Sequence, residues 1–246
     1  MRDDGTAPAE SLRLGAGDAL FLDFDGTLAD LGPDPDAVFA PREVAAALPR
    51  LATRLGGALA VVSGRGVADL ARRTPAGLWR IGAHGIEVAA PGEVAGPPTG
   101  ALPAAALAPL ETAARRPGVR LELKGRVAAL HYRAAPEAEA DCLAAAEAAR
   151  EAGGEALTVQ AGKMVVEVKP AGADKGEALR RAMRSPPFAG RRPVFAGDDA
   201  TDEDAIAAAL ALGGVGIKVG PGETRAGFRA ATPEAFRRWL LDQIED

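Results

Sequence analysis

Cysteine and aromatic residues are scarce in this sequence. Cys142 is the single cysteine among 246 residues, which excludes an internal disulfide and a metal site built from cysteines. Aromatic residues make up only 4%, so the core must be largely aliphatic, and surfaces that stack nucleic-acid bases are few. A net charge of −5 also argues against general nucleic-acid binding. We therefore expect no nucleic-acid partner.

Long apolar segments and nucleotide-binding loops are absent too. No stretch approaches the length of a membrane span, and the first residues lack the apolar segment of a secretory signal. There is no Gly-x-x-x-x-Gly-Lys-Ser/Thr loop, so a P-loop nucleotide site is not supported. These absences predict a cytoplasmic protein without a membrane partner, and we expect a monomer. The Ala/Gly/Arg/Pro-rich composition suggests a bacterial source.

The most informative stretch is a short apolar run that ends in two acids. Residues 20–22 read Leu-Phe-Leu, and Asp23, Asp25 and Gly26 follow at once. Buried carboxylates are costly unless their charge is offset, and a divalent cation at the carboxyl end of a parallel strand is the expected offset. An isolated Asp-x-Asp-Gly can also be a plain turn followed by a helix cap. Later stretches decide between the two interpretations because they supply matching parts.

Apolar strands alternate with amphipathic helices in two parts of the chain, 18–90 and 171–246. This alternation predicts an α/β core with a parallel sheet and helical crossovers. Residues 1–17 are polar and contain Gly and Pro, and we expect a flexible N-terminal tail. A Pro/Gly-rich connector opens segment 91–170, which continues as helix, hairpin, helix and hairpin. We interpret it as a smaller α+β domain inserted in the core.

Polar turns follow three of the predicted core strands. They are Asp23/Asp25, Ser63-Gly64 and Asp198-Asp199. Such strand ends meet in one crevice of an open α/β sheet, and their carboxylates suit Mg²⁺. Lys175, at a predicted helix start, favours a bound phosphate. Asp23 can then act as a nucleophile and Asp25 as the acid and base of a hydrolysis through an aspartyl-phosphate.

The segment Asp23-Phe24-Asp25-Gly26-Thr27-Leu28 resembles the first motif of the haloacid dehalogenase (HAD) superfamily of phosphatases, which implies a Rossmann-like core. Ser63, Lys175 and Asp198-Asp199 fall in the order of its other three motifs. The resemblance implies that Mg²⁺ is held by Asp23, by the main-chain carbonyl of Asp25 and by Asp198. Ser63 and Lys175 would hold the phosphoryl group. Asp199 and Asp202 would support the metal indirectly or through water.

A narrower resemblance covers most of the chain and points to the trehalose-6-phosphate phosphatase family. It rests on these motifs: Ser63-Gly64-Arg65, Gly82-Ala83-His84-Gly85-Ile86-Glu87, His131-Tyr132-Arg133, Gly162-Lys163-x-x-x-Glu167-x-x-Pro170, Asp174-Lys175-Gly176 and Gly197-Asp198-Asp199-Ala200-Thr201-Asp202-Glu203-Asp204. The family often has Asn at the position of Ala83 and Phe at that of Ile206; both departures are conservative. Gly64, Arg65 and His84 would lie at the substrate, and His84 has no chemical role.

Residues of the inserted domain alternate between polar and apolar along its predicted hairpins. Glu122 and Lys124 share one face, as do Lys163 and Glu167. Alternation alone more often marks a solvated sheet face. The family resemblance favours a cap that contacts a sugar, with Lys163 and Glu167 as the strongest candidates and Glu122, Lys124 and Arg133 as further ones.

The sequence therefore predicts a Mg²⁺-dependent phosphatase with a disaccharide phosphate, trehalose 6-phosphate, as its small-molecule substrate. One alternative is a capped phosphatase of sucrose or mannosyl phosphates, and a phosphomutase is another. A sugar-phosphate sensor without catalytic activity is a different class of protein. The complete set of Asp23, Asp25, Ser63, Lys175 and Asp198 argues against such a sensor.

Overall fold

The structure, a computed structural model, divides into two compact units. The first comprises Met1–Ala95 and Asp174–Asp246, and the second is Gly96–Ala173. The second unit thus begins and ends a few residues later than the predicted insert over 91–170. The residues that the structure describes are 5–32, 34–93, 100–154, 156–162 and 164–245, without the side chains of Pro35 and Glu245.

Strands and helices are numbered in chain order. The strands are β1 (Ala7–Pro8), β2 (Asp18–Asp23), β3 (Leu59–Val62), β4 (Trp79–Gly82), β5 (Glu87–Ala89), β6 (Arg120–Lys124), β7 (Val127–His131), β8 (Leu157–Gly162), β9 (Val165–Pro170), β10 (Arg192–Gly197), β11 (Val215–Val219) and β12 (Phe228–Ala230). The α-helices are α1 (Arg42–Arg54), α2 (Val67–Arg73), α3 (Ala104–Ala113), α4 (Glu139–Gly153), α5 (Lys175–Ala182), α6 (Ala200–Ala211) and α7 (Pro233–Glu245). Short 3₁₀ turns lie at Ala9–Ser11, Pro35–Ala37, Ala83–Gly85 and Pro136–Ala138.

An eight-stranded sheet forms the centre of the first unit, in the order β1-β12-β11-β10-β2-β3-β4-β5. Every neighbouring pair is parallel except β4 and β5, which pair antiparallel. Helices α1, α2 and α6 connect β2 to β3, β3 to β4 and β10 to β11, because a parallel pair needs a long crossover. The predicted α/β class with a mainly parallel sheet is confirmed.

Both faces of this sheet are buried, which explains why β2 has no polar residue before its last position apart from Asp18. Leu20 and Leu22 pack on one side, in a cluster that includes residues of α1 and α7. Ala19 and Phe21 pack on the other side with residues of α5 and α6. Successive side chains of a strand point to opposite faces, so a strand covered on both faces must be apolar throughout.

The predicted flexible tail over residues 1–17 is wrong for the residues from Ala7 onwards. Ala7 and Pro8 pair with Phe228 and Arg229 at the sheet edge. Leu12 and Leu14 are buried in the core, and the indole of Trp239 donates to the carbonyl of Leu12 at 2.9 Å. The polar composition concealed these apolar contacts, which come from the far end of the chain.

In the second unit, a four-stranded antiparallel sheet has the order β6-β7-β9-β8. Its apolar face packs against α3 and α4, where Leu130, Val166 and Cys142 are buried in one cluster. The pairing register of these strands places four residues in one row across the sheet: Glu122, Ala129, Glu167 and Gln160. The helix, hairpin, helix and hairpin order predicted for the insert is the order found here.

Candidate active site

Asp23 is the last residue of β2, the strand at the middle of the parallel sheet. It lies beside Val62 of β3, while Leu22 lies beside Ala196 of β10. The residues that follow β3 and β10 therefore flank Asp23 on its two sides. The register explains why polar turns that are far apart in the sequence come to one edge of the sheet.

Lys175 links two buried carboxylates at this edge. Its Nζ lies 2.7 Å from Oδ1 of Asp23 and 2.6 Å from Oδ1 of Asp202. Asp174 places this lysine at the start of α5, because its side chain accepts the main-chain N–H of Glu177 and caps the helix. Burial raises the pKa of Asp23 well above its usual value and the charge of Asp202 adds to this, whereas Lys175 opposes it.

The turn after β10 is held by a reciprocal cap of α6. Asp199 accepts the main-chain N–H groups of Thr201 and Asp202 at 2.8 and 3.1 Å. Oδ2 of Asp202 accepts those of Asp198 and Asp199, each at 3.0 Å. Both oxygens of Asp202 thus accept hydrogen bonds, one from Lys175 and the other from the turn that carries Asp198. Burial, and next the charge of Asp199, raise the pKa of Asp198 to about 6.

These residues fit a divalent cation. Carboxylate oxygens of Asp23, Asp198 and Asp202 lie within 4.8 Å of one another. Oδ2 of Asp23 is buried and receives no hydrogen bond from any described residue. Gly26, with a φ of +84°, leaves space for Asp198, since a Cβ there would come 2.2 Å from Oδ2 of Asp198. An acceptor-only oxygen among other carboxylates is the environment that a hard cation satisfies.

Asp25, two positions after Asp23, pairs with an arginine. Nε of Arg65 lies 2.7 Å from one oxygen of Asp25, and Nη2 lies 2.7 Å from the other. The carboxylate of Asp25 is thereby held in a bidentate ion pair. Arg65 was expected at the substrate, and this contact with Asp25 was not anticipated.

Ser63 follows β3 and opens the second polar turn. Its hydroxyl accepts the main-chain N–H of Arg65 at 3.0 Å, and its own N–H donates to the carbonyl of Ile81. His84 packs against this turn, because a Cβ on Gly64 would come 2.8 Å from Nε2 of His84. The main-chain N–H of His84 donates to the carbonyl of Ser63 at 3.1 Å. Gly64 thus permits a close approach that any side chain would block.

Three further residues support this edge of the sheet, and two of them, Lys218 and Asp69, lie outside the sequence motifs. Lys218 is buried and donates to the main-chain carbonyl of Asp198 at 2.6 Å. Glu87 accepts the N–H of Val67 at the start of α2, and Asp69 binds Arg65. A lysine within the apolar strand Val-Gly-Ile-Lys-Val was the signal that could have pointed to Lys218.

The second unit contains its own polar cluster, on the face of the sheet opposite its helices. Oε2 of Glu122 lies 2.8 Å from Nε2 of His131 and 3.3 Å from Nζ of Lys124. Lys124 is also 3.9 Å from Glu167. Arg133 lies beyond the end of β7 and is exposed. Lys163, a predicted substrate contact, lies outside the described residues.

The fold is shared with solved phosphatase structures. A phosphatase of the haloalkanoate (HAD) enzyme superfamily from Bacteroides thetaiotaomicron superposes with a TM-score of 0.59 at 16% identity, covering 100% of this chain and 97% of that one. The crystal structure of a trehalose-6-phosphate phosphatase related protein superposes with a TM-score of 0.72 at 25% identity, covering 92% and 96%. The chain therefore has the fold of HAD-type phosphatases.

Sequence similarity narrows this class. The trehalose-phosphatase family model matches residues 21–233. The trehalose-6-phosphate phosphatase of Escherichia coli strain K12 is 39% identical over 235 residues, which cover 94% of this chain and 88% of that protein. A probable trehalose-phosphate phosphatase of Sinorhizobium fredii is 44% identical over 207 residues, covering 82% and 78%. The chain belongs to the trehalose-phosphatase family.

Among the described residues, none of the helices combines the length and the apolar character needed to cross a bilayer.

Proposed function

We propose that this chain hydrolyses trehalose 6-phosphate to trehalose and phosphate in two displacements, with Mg²⁺ as its cofactor. Membership of the trehalose-phosphatase family supports the choice of substrate. The observation that best supports this chemistry is the burial and the hydrogen bonding of the Asp23 carboxylate. This carboxylate is only 3% exposed, and Lys175 holds one of its oxygens while the other accepts no hydrogen bond from the described residues.

Asp23 is the proposed nucleophile. In the first displacement, one of its oxygens forms a bond to phosphorus as the bond from phosphorus to the sugar oxygen breaks. In the second, water attacks the phosphorus of the aspartyl-phosphate, and the carboxylate of Asp23 is released with phosphate. Lys175 keeps Asp23 oriented and offsets its charge, because its buried ammonium reaches Asp23 and Asp202 together.

Asp25 is the proposed acid and base. It gives its proton to the sugar oxygen that leaves in the first displacement, and it takes a proton from the attacking water in the second. Protons balance over the two displacements, because Asp25 gives up one proton and takes back one in each cycle. Separate surroundings make two neighbouring carboxylates suitable for two roles: Asp23 is buried against Lys175, while Asp25 is partly exposed and faces Arg65.

Mg²⁺ would be held by Asp23, by the main-chain carbonyl of Asp25 and by Asp198, with Asp199 and Asp202 fixing the turn that carries Asp198. When bound, the cation supplies positive charge that lowers the repulsion between a phosphate dianion and the carboxylates. The acidic cluster and the space left by Gly26 support this assignment. Ser63, Gly64 and Lys175 would hold the phosphoryl oxygens, and His84 would keep the Ser63 turn in shape.

For the second unit we propose a role in selecting the sugar. Glu122, Lys124 and Glu167 form a charged cluster on a sheet, and charged groups make strong hydrogen bonds to hydroxyls. Lys163 and Arg133 complete the proposed set. A disaccharide presents many hydroxyls, which such a cluster can discriminate through paired donors and acceptors.

The test is release of phosphate from a panel of trehalose, sucrose, mannosyl and glucose phosphates, with Mg²⁺ and with a chelator. We expect metal-dependent turnover with the highest kcat/KM for trehalose 6-phosphate. Asp23→Asn should lower kcat by at least about 10³-fold while thermal unfolding shows an intact fold. Equal kcat/KM for all sugars would contradict the substrate, and substantial turnover by folded Asp23→Asn would contradict the mechanism. Tight binding of the sugar phosphate without turnover by the wild type would favour a sensor.

A further inference from the structure

Arg65 grips Asp25 with two parallel hydrogen bonds. The two N···O distances are both 2.7 Å, and the guanidinium lies 5.6 Å from the ring centre of Phe24. The arginine side chain is 11% exposed, against 29% for that of Asp25. A planar guanidinium that meets both oxygens of a carboxylate sets the plane of that carboxylate as well as its position.

A second carboxylate, that of Asp69, also holds the guanidinium of Arg65. Its Nη1 lies 2.8 Å from Oδ2 of Asp69, and the same oxygen accepts Nε of Arg73 at 3.0 Å. Arg73 is buried and donates to the carbonyl of Val38 at 2.6 Å. Burial alone would lower the pKa of Arg65, but hydrogen bonds and charge from Asp25 and then Asp69 raise it. The guanidinium thus remains charged, and its ion pair with Asp69 ties it to the first turn of α2.

We propose that Arg65 is a positioning residue for proton transfer by Asp25, rather than a residue that binds the substrate. This inference rests on the proposed function, in which Asp25 is the acid and base. When Asp25 is protonated, one oxygen accepts from Arg65 while the O–H of the other donates to the leaving oxygen. When Asp25 is ionised, both oxygens accept from Arg65, and the carboxylate can take the proton of the attacking water.

Substrates with different leaving groups distinguish a role in proton transfer from a role in substrate binding. An alkyl oxygen of a sugar needs a proton as it leaves, whereas p-nitrophenolate leaves readily without one. Loss of proton transfer therefore lowers kcat/KM, which reports steps up to the first irreversible one, for trehalose 6-phosphate and much less for p-nitrophenyl phosphate. Loss of a phosphate-binding residue lowers it for both substrates, and loss of a sugar-binding residue raises KM for the sugar alone.

The first variant is Arg65→Lys, which keeps the positive charge but cannot donate two parallel hydrogen bonds to Asp25. The second is Asp69→Asn, which weakens the hold on Arg65 at a residue that does not contact Asp25. For Arg65→Lys we expect kcat/KM to fall about 100-fold for trehalose 6-phosphate and less than about threefold for p-nitrophenyl phosphate. KM should not rise, and inhibition by inorganic phosphate should be unchanged. Asp69→Asn should show the same selectivity with a loss of about tenfold. Arg72→Ala is the matched control, because exposed Arg72 also binds Asp69.

Equal losses for the two phosphate esters, or a raised KM for trehalose 6-phosphate with kcat unchanged, would overturn the role of Arg65. Thermal unfolding of each variant identifies a misfolded protein, and Asp69→Asn then serves as the second test. The comparison works with any alkyl phosphate that the wild type hydrolyses. A wild type that ignores trehalose 6-phosphate but hydrolyses another alkyl phosphate would therefore count against the proposed substrate, and not against Arg65. A wild type without any phosphatase activity would overturn both.

Discussion

At the scale of single residues, the acidic edge of the sheet depends on one missing side chain. Gly26 has a φ of +84°, and any Cβ there would lie 2.2 Å from a carboxylate oxygen of Asp198. Glycine is therefore required twice, once by the left-handed backbone and once by the close approach of Asp198. Asp198 lies in the turn after β10, far away in the sequence, so the motif around Gly26 does not reveal this close approach.

We expect Gly26→Ala to displace Asp198 and to abolish metal-dependent turnover. Gly213→Ala is a matched control, because Gly213 has a φ of +74° but no atom within 4 Å of its hypothetical Cβ. Both variants should lose about 1–2 kcal/mol of stability from the left-handed conformation, and Gly26→Ala should lose more. Denaturant unfolding and phosphate release check this. Full activity of Gly26→Ala would contradict the placement of Asp198.

At the scale of elements, antiparallel pairing of β6 and β7 builds the charged cluster of the second unit. Leu121 and Leu130 are opposite each other on one face, while Glu122, Lys124 and His131 meet on the other. Burial alone would raise the pKa of Glu122, but the hydrogen bond to His131 and the charge of Lys124 lower it to about 2. A carboxyl with a depressed pKa stabilises the fold at pH values where it is ionised.

This gives a pH-dependent prediction for Glu122→Gln. The contribution of Glu122 is complete above its usual pKa of 4.5 and is lost as the pH falls towards about 2. Since its side chain is 33% exposed, solvent screening reduces the effect, and we expect a loss of about 1 kcal/mol near neutral pH. The difference from wild type should shrink between about pH 5 and pH 3 in urea unfolding. Glu151→Gln, an exposed control, should differ little from wild type at any pH. A difference in unfolding free energy between Glu122→Gln and wild type that does not change with pH would contradict the lowered pKa of Glu122.

At the scale of the whole molecule, the candidate site exists only when the two segments of the first unit fold together. Lys175 and Asp23 are 152 positions apart in the chain, and Gly96–Ala173 intervenes as a unit of its own. Carboxylates of Asp23, Asp198 and Asp202 meet there, and the charges of Lys175 and Lys218 do not prevent the pKa of Asp198 from being raised by burial and by Asp199. A bound cation should therefore stabilise the folded chain strongly, because the unfolded chain does not hold these groups together.

We expect Mg²⁺ at about 100 times its Kd to stabilise the protein by about 2.7 kcal/mol, which corresponds to a rise in Tm of roughly 5–10 °C. Asp198→Asn should remove most of this shift, and Asp242→Asn, at an exposed position of α7, should retain it. Thermal unfolding with and without Mg²⁺ measures both. The same shift in Asp198→Asn and wild type would place the cation elsewhere.

Local patterns in the sequence determined the α/β class, the alternation of strands and helices, and the interruption of the core by a smaller α+β segment. Apolar runs such as Leu20–Leu22 and alternation in the hairpins carry this information because burial on two faces or one face leaves a distinct periodicity. The motifs also indicated Asp23, Lys175 and Asp198 as candidates, since their residue types suit a cation and a phosphate.

Only the tertiary structure decided which of these groups touch. The pairing of Arg65 with Asp25, the contact of Lys218 with the turn of Asp198, and the burial of Leu12 under Trp239 all join residues distant in sequence. Such contacts depend on strand order and register, and neither leaves a local periodicity. The same reason explains the wrong prediction of a tail: Ala7, Pro8 and Leu14 find their partners in β12 and α7, at the far end of the chain.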